Sequence, residues 1–326
     1  MIHRRAAPIG WALWGVLLIL TALTGGCAST PKTMAAYTAV DDGSLLARHA
    51  PVFMVERPEK SYNRIGTPKA RMDDSRVRVR IDPDTPAIYA ETRDFTTERG
   101  SYRNLIYRVH FERVPFRPLP SYVSAGRNVG LLVLITLDSE DLPVLVTTVH
   151  SCGCYLAFLP TEHLPDDAYP SGWTPAPQRV WGERLPGRLS TPDAISDARP
   201  VLSLRHGTHR VMGAFMADPA ALTAAPLAVA LTPMASLTQL TLPEGGTVSL
   251  FEQSGRRRGY VQGAYKPLET LLVGWWAWDR YVGSDKAYAP ADTLAVPFYT
   301  SLKPWAREAS DMWPFARFLS YWGWRL

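Results

Sequence analysis

The stretch that decides the fold covers residues 128–165 and reads NVGLLVLITLDSEDLPVLVTTVHSCGCYLAFLPTEHLP. Residues 129–137 are apolar on both faces of a period-two pattern, which is typical of a central strand covered on both sides. A charged connection, residues 138–143, leads into a second apolar run at residues 144–158. The two runs predict a hairpin with a solvent-facing turn. We expect the rest of the folded domain to be organised around this hairpin.

Shorter patterns surround the hairpin. Residues 76–81 and 105–112 alternate apolar and polar side chains, which indicates half-buried strands. Helical spacing occurs in residues 267–279 and in the aromatic segment 301–326, where Pro314 should divide the helix. The 28 prolines and 23 glycines punctuate many short elements. The predicted fold class is α+β and mainly β, an antiparallel β-sheet or sandwich core with peripheral helices and a short helical, aromatic C-terminus.

The aromatic segment 301–326 allows two interpretations. Trp305, Phe315 and Trp322 recur at helical spacing, and packing into the core explains such a stripe. The alternative is a tryptophan-rich face that rests at a membrane interface.

The first residues predict the cellular address. A basic start at positions 3–5 is followed by an apolar stretch, residues 9–23, and by small residues that lead to Cys27. This is the pattern of a secretory signal, and the apolar stretch is too short for a stable membrane span. The sequence LTGGCAST also resembles the lipobox of bacterial lipoproteins. Ordinary signal-peptidase cleavage, which would leave a soluble periplasmic protein, is the alternative.

The lipobox resemblance implies a particular organisation. Residues 1–26 would be removed as a signal peptide, and Cys27 would be diacylated and become the mature N-terminus. Ala28 rather than Asp follows the cysteine, which in that family implies sorting to the outer membrane. We therefore expect residues 27–48 to be a flexible tether and residues 49–326 to form a single globular domain. That domain would face the periplasm of a Gram-negative cell.

Composition and missing motifs exclude several classes. The chain has 326 residues, of which 46% are hydrophobic and 20% charged, a composition typical of a folded globular protein. Its net charge of +5 is weaker than a nucleic-acid-binding signature, so we expect no nucleic-acid partner. The tight basic run at residues 256–258 is either a solvated turn or a contact for phosphate or a lipid headgroup. No phosphate-binding glycine loop, GxSxG elbow or HExxH motif is present.

The end of the hairpin carries the first candidate site. If the second strand stays regular, His150, Cys152 and Cys154 share one face with the apolar positions before them. One imidazole and two thiolates can ligate zinc or copper, with a fourth ligand from another histidine. An oxidising compartment instead favours a Cys152–Cys154 disulfide, and small buried thiols beside a core histidine are the third interpretation. We therefore predict no particular metal or cofactor at this site.

Two further candidates involve histidines. Arg108, His110 and Glu112 fall on one face of a strand, where the carboxylate could orient the imidazole as a base. A solvated sheet face explains the same alternation. His206 and His209 flank a turn and are either ligands or surface residues.

Short pieces of the chain resemble known β-sandwich proteins. HAPVF at residues 49–53, PEKSYN at 58–63, PVLVTTVHSCGCY at 143–155 and RPVLSLRHGTHRV at 199–211 follow the order found in necrosis-inducing proteins and their vacuolar-sorting-related cousins. That resemblance implies a β-sandwich core. The metal motif of that family, of the GHRHDWE type, has no counterpart here. As a whole, the chain is similar to uncharacterised proteobacterial lipoproteins, a family that implies no activity.

Two functions follow from these observations. The first is an outer-membrane-anchored lipoprotein without enzymatic activity, which binds an envelope component, a lipid or a partner protein. The second is an envelope metalloprotein or hydrolase that uses clustered histidines, His110, His150, His206 and His209, with Glu112. The second function requires these side chains to converge.

Overall fold

Short strands account for most of the regular structure. The computed structural model describes residues 33–74, 76–117, 122–191 and 197–326. Within these ranges the strands are β1 (Met34–Ala39), β2 (Val52–Glu56), β3 (Thr67–Asp73), β4 (Arg76–Asp82), β5 (Ile88–Thr96), β6 (Ser101–Val114), β7 (Gly126–Leu137), β8 (Pro143–His150), β9 (Ala157–Pro160), β10 (Gln178–Val180), β11 (Glu183–Leu185), β12 (Arg199–Leu204), β13 (Val211–Ala217), β14 (Leu227–Val229), β15 (Leu231–Pro233), β16 (Leu240–Thr241) and β17 (Thr247–Val248). The α-helices are α1 (Leu45–His49), α2 (Pro267–Ala277) and α3 (Phe315–Tyr321).

No helix in these ranges is long and apolar enough to cross a membrane. The predicted signal peptide and the predicted lipidation site, Cys27, lie outside the described residues.

The larger sheet contains the predicted hairpin. Its strand order is β15-β5-β6-β7-β8-β9, and every pairing is antiparallel except that of β15 with β5. Strand β7 lies near the middle, with β6 on one side and β8 on the other. Nearly every residue of β7 is buried, as its apolar pattern predicts.

A second sheet faces the first. Its order is β13-β12-β2-β1-β14, a mixed sheet in which β12 pairs parallel with β2 and β1 pairs parallel with β14. Apolar side chains from both sheets, such as Phe53, Tyr107, Val133 and Leu202, form one buried cluster between them. Two sheets that share one apolar core form a sandwich, so the predicted fold class is confirmed.

The C-terminal third of the chain covers the outer face of the larger sheet. Ile106, Leu132 and Leu134 point outward and pack against a layer that includes Phe298 and Phe318. This layer explains why β7 is apolar on both faces. Phe315, Phe318, Leu319 and Trp324 of segment 301–326 are buried in this core, whereas Trp305 is 81% exposed. Helix α3 begins directly after Pro314, the residue predicted to divide the segment.

Three sequence predictions about element boundaries are wrong. Strand β1 and helix α1 lie within the predicted tether, so the folded unit begins at residue 34 rather than 49. Strand β3 pairs with β4 in a two-stranded ribbon, although the charges and turn-forming residues of positions 56–74 predict a loop. The second strand of the hairpin ends at His150 instead of running to residue 158, because residues 151–156 form a turn before β9. Gly153 adopts φ +89° there, a conformation that a regular strand excludes.

Candidate functional site

Two of the candidate histidines meet inside the sandwich. The ring of His209 stacks on Phe111 with 4.0 Å between ring centroids, and the ring of His150 meets Tyr155 edge-on at 4.7 Å. Burial lowers the pKa of His150 to about 3, and the charge of Lys266 acts in the same direction. Burial also lowers the pKa of His209 to about 3, with His150 as the next cause. Both rings are therefore uncharged near neutral pH, and both are very weak bases.

The other histidine candidates lie elsewhere. His110 points to the opposite face of the larger sheet, where its ring meets Tyr89 edge-on at 5.7 Å. Neither ring nitrogen of His110 has a hydrogen-bond partner among the described residues, and burial lowers its pKa well below the usual range. The main-chain N–H of His206 donates to the carboxylate of Glu56 at 3.0 Å. The four histidines therefore do not form one site.

The predicted polar face of β6 is not a solvated face. Arg108 and His110 are fully buried under the C-terminal layer. Glu112 lies apart from them near the end of the strand, where it accepts a hydrogen bond from Ser61 at 2.9 Å and pairs with Arg113 at 2.9 Å. The carboxylate of Glu112 therefore has partners other than His110, and the predicted orienting role has no counterpart in this geometry.

The two cysteines of the turn are joined in a Cys152–Cys154 disulfide. Potential ligand atoms of His150, Cys152 and Cys154 lie within 4.8 Å of one another. These three residues could hold a metal ion only after reduction, because the thiolate is the form of cysteine that ligates. With the disulfide closed, both cysteines contribute to the wall of a cavity instead.

A buried polar network supports the disulfide turn from below. The carboxylate of Asp285 accepts hydrogen bonds from the Ser151 hydroxyl and, at 3.1 Å, from the Gly130 main-chain N–H. The same carboxylate lies 3.2 Å from the ammonium of Lys266, and Lys286 donates to the Cys152 carbonyl at 2.8 Å. Burial acts to lower the pKa of Lys266, but the neighbouring carboxylates outweigh it and the pKa is raised. The network joins the larger sheet to the start of α2.

Helix α2 exposes an unusual amount of apolar surface. Its buried residues are the small Gly274 and Ala277. Trp275 is 74% exposed, Leu271 is 72% exposed, and Trp278, directly after the helix, is 84% exposed. We call the exposed side chains of this helix and its cap the tryptophan surface; it consists of Leu271, Leu272, Trp275, Trp276 and Trp278.

The end of the tryptophan surface has a strained backbone and basic neighbours. Trp278 caps α2 in the left-handed conformation, with φ +52°, where glycine is the usual residue. A bulky residue in this conformation is a conformational outlier, and such outliers cluster at functional sites. Arg256 and Arg280 line the same shallow depression as Trp278.

An apolar cavity opens between α2 and the disulfide turn. Its volume is about 350 Å³, and its walls include both cysteines, Tyr155 and Val273. Glu269 of α2 and Arg210 provide charged groups in the lining. Because Glu269 and Val273 belong to α2, the cavity lies directly beside the tryptophan surface.

A wide cleft of about 570 Å³ lies along the β3–β4 ribbon. Six basic and three acidic side chains line it, and three of the basic residues form ion pairs: Lys69 with Asp82, Arg78 with Asp73, and Arg113 with Glu112. The remaining cations give the cleft a net positive charge, but every one of them extends into solvent without a defined pocket for one anion.

The chain matches no protein-family model, no curated protein and no solved structure. Its function is therefore argued from its own geometry. Sequence reasoning missed the tryptophan surface because α2 is apolar around most of its circumference, so helical spacing does not reveal which side is exposed. The signal that could have revealed this surface is the run WWAW at residues 275–278. Three tryptophans so close together cannot all lie on the buried side of one helix, which is left to the small Gly274 and Ala277.

Proposed function

We propose that the protein is a lipid-anchored envelope protein whose folded domain binds the membrane surface through the tryptophan surface of α2. The anchor is the acylated Cys27, and the domain faces the periplasm from the outer membrane. The observation that carries the proposal is the exposure of Trp275 and Trp278, at 74% and 84%. Contiguous apolar surface of this kind marks a binding site for a membrane or a protein.

The composition of the surface favours lipid as the occupant. Tryptophan is enriched at membrane interfaces because its ring buries apolar area while its N–H stays hydrated. Leu271 and Leu272 reach the same side of the helix and can enter the acyl region. Arg256 and Arg280 lie next to Trp278, where they can pair with lipid phosphates.

The expected strength of this contact defines its role. Full burial of one leucine side chain contributes about 1.5–3 kcal/mol. Even the five side chains of the tryptophan surface together therefore give a contact comparable to that of a single acyl chain, which binds membranes weakly and reversibly. Linked to a lipid anchor, such a contact gains a high effective concentration. The tryptophan surface therefore orients a domain that the lipid already retains. In that orientation the apolar cavity beside α2 lies close to the membrane.

The geometry does not favour a histidine-dependent hydrolase. His110 is separated by the sheet from His150 and His209, and the latter two are buried with pKa values of about 3. The metalloprotein alternative depends on reduced cysteines. A thiol count with elemental analysis of protein purified from periplasm tests it. We expect no free thiols and no stoichiometric metal, and free thiols with one bound zinc or copper per chain would favour the alternative.

Vesicle co-sedimentation tests the proposed function. The chain from Ala28 onward, which lacks the anchor, is mixed with vesicles of phosphatidylglycerol and phosphatidylcholine or of phosphatidylcholine alone. We expect binding that is stronger with the anionic lipid and about tenfold weaker in the triple variant Leu271→Ser, Trp275→Ser and Trp278→Gly.

Two exposed apolar residues on edge strands of the smaller sheet provide matched controls. Leu227→Ser in β14 and Phe215→Ser in β13 should leave vesicle binding unchanged. If the unmodified chain binds neither vesicle, or if the triple variant binds as well as the controls, the surface does not bind lipid. Its occupant would then be a protein.

A further inference from the structure

One arginine of the larger sheet is buried with unused hydrogen-bonding capacity. Arg108 in β6 is 1% exposed, and its Nη1 donates to the Lys286 carbonyl at 3.0 Å. Its Nε and Nη2 have no hydrogen-bond partner in the part of the chain that the structure describes. The guanidinium also lies 5.3 Å from the centre of the Phe251 ring. One edge of the guanidinium is therefore free to bind another group.

No carboxylate neutralises Arg108 directly. The two acids whose charges act on it are Asp285 and Glu91, and no ion pair joins either of them to Arg108 among the described residues. Asp285 instead binds Ser151, Gly130 and Lys266. Burial lowers the pKa of Arg108 to about 10, so the side chain remains charged at neutral pH. A buried charge without a partner is strongly unfavourable, so a bound anion would stabilise Arg108.

The neighbouring arginine shows how this face satisfies a cation. Arg93 in β5 stacks on Trp313, with 3.4 Å from its guanidinium carbon to the ring centre. It also donates to the Tyr288 hydroxyl and to the Trp313 carbonyl, each at 3.1 Å. Arg108 has only one hydrogen bond among the described residues, and both nitrogens of its other edge lack a partner.

Arg108 lines a cavity between the larger sheet and the C-terminal layer. The volume of the cavity is about 310 Å³, at the lower end of the range for small-molecule sites. Phe251, Tyr288 and Met234 contribute apolar walls. Glu91 lines the same cavity, and its Oε1 is buried without a hydrogen-bond partner among the described residues. The cavity thus presents one unmatched cation and one unmatched carboxyl oxygen.

Strand register fixes the spacing between these two groups. In the antiparallel pair, Tyr89 is opposite Arg108 and Glu91 is opposite Ile106. Glu91 and Arg108 are therefore diagonal neighbours on one face, with a spacing of roughly 7–8 Å that long side chains can bridge. No ion pair joins their charged ends in the described ranges, and both side chains line the cavity, so a small group with an acceptor on one side and a donor on the other fits this arrangement.

We propose that this cavity binds a free amino acid. The carboxylate would accept two parallel hydrogen bonds from Nε and Nη2 of Arg108, the edge of guanidinium that matches a carboxylate. The ammonium group would donate to Glu91, and an apolar side chain would pack against Phe251, Tyr288 and Met234. This ligand site is independent of the tryptophan surface, so the failure of either proposal leaves the other in place.

Isothermal titration of the chain from Ala28 onward tests the assignment with three matched series. The series are the standard amino acids, the α-hydroxy acids with the same side chains, and the amines that lack the carboxylate. We expect at least one apolar amino acid to bind, its hydroxy acid to bind about tenfold more weakly, and its amine not to bind. Sodium acetate and inorganic phosphate serve as simple anions and should bind far more weakly than the amino acid.

Variants assign the binding to the two residues. Arg108→Met should abolish binding, and the free protein should melt at the same or a higher temperature because an unpaired charge is removed. Glu91→Gln should remove the preference for the amino acid over the hydroxy acid. Arg258→Ala, at a second basic residue of the lining, should change affinity by less than about threefold.

Three results would overturn the proposal: no amino acid binds at millimolar concentration, binding survives Arg108→Met, or acetate and phosphate bind as well as the amino acid. If Arg108→Met does not fold, the comparison of amino and hydroxy acids on Glu91→Gln decides. If Glu91→Gln still binds the amino acid more tightly than the hydroxy acid, the proposed contact between the ammonium group and Glu91 is contradicted.

Discussion

At the scale of single residues, the burial of three histidines makes the folding stability sensitive to acid. His110, His150 and His209 are buried, and burial holds the pKa of each far below its value in the unfolded chain. Below about pH 6.5 the unfolded chain binds protons that the folded chain does not. The free energy of unfolding is therefore highest above that pH with respect to these histidines, and it falls as the pH decreases below it. Each histidine contributes about 1.4 kcal/mol per pH unit in this window.

Urea unfolding at pH 7.5, 6.5 and 5.5 measures this effect. The free energy of unfolding should decrease steeply between pH 6.5 and 5.5. His150→Gln should reduce the slope by about one proton. A free energy of unfolding that is constant over the same pH range would show that these rings take up protons in the folded protein as readily as in the unfolded chain.

The buried pair of Asp285 and Lys266 supports a second residue-level prediction. Asp285→Asn leaves the ammonium of Lys266 without its partner at 3.2 Å, and removal of one partner from a buried pair destabilises by about 3–5 kcal/mol. The double variant with Lys266→Met should recover part of this loss. As a control, Asp84→Asn breaks an exposed pair with Arg64 and should change stability by about 1 kcal/mol or less. Equal effects of the two single variants would contradict the structural role of Asp285.

At the scale of elements, a substitution at the cap of α2 should have opposite effects on folding stability and on vesicle binding. Trp278 occupies a left-handed conformation that costs a bulky residue about 1–2 kcal/mol relative to glycine. Trp278→Gly should therefore raise the free energy of unfolding by about 1 kcal/mol and weaken vesicle binding at the same time. Trp275→Ser, within the helix, should weaken vesicle binding without a gain in stability. A loss of stability in Trp278→Gly would indicate that this ring packs on the protein and not on a membrane.

The elements also show how far the sequence could be interpreted. The central hairpin, α2 and the break at Pro314 follow from patterns longer than one turn or strand, and the structure contains all three. Strand β1 was missed because its sequence, MAAYTA, is short and rich in alanine, so it resembles a tether. The turn at residues 151–156 was missed because the apolar run continues through it, and only Gly153 signals the change in backbone direction.

At the scale of the whole molecule, the structure differs from the sequence prediction because residues distant in the sequence cover one face of the larger sheet. Arg108 and His110 alternate with apolar residues, so the sequence suggests a solvated face. Residues more than a hundred positions later cover that face, and no local pattern contains this information. For the same reason the candidate histidines could be listed from sequence but not sorted into His150 with His209 on one side of the sheet and His110 on the other.

Coverage also explains which aromatic residues reach the surface. Helical spacing suggests a membrane-interface face in the aromatic segment 301–326, but Phe315, Phe318 and Trp324 of that segment pack on the larger sheet. Three exposed rings, Trp275, Trp276 and Trp278, lie on α2 and its cap, where the fully buried residues are the small Gly274 and Ala277. The central claim is therefore that these exposed rings contact lipid.

Fluorescence quenching by lipids brominated on their acyl chains tests that claim most directly, because it reports contact between tryptophan rings and the membrane interior. The chain from Ala28 onward should be quenched by brominated phosphatidylglycerol vesicles. The triple variant Trp275→Phe, Trp276→Phe and Trp278→Phe should lose most of that quenching, because Trp324 is buried and the remaining tryptophans lie outside the tryptophan surface. Equal quenching with and without these three rings, or no quenching of the unmodified chain, would contradict contact between the tryptophan surface and lipid.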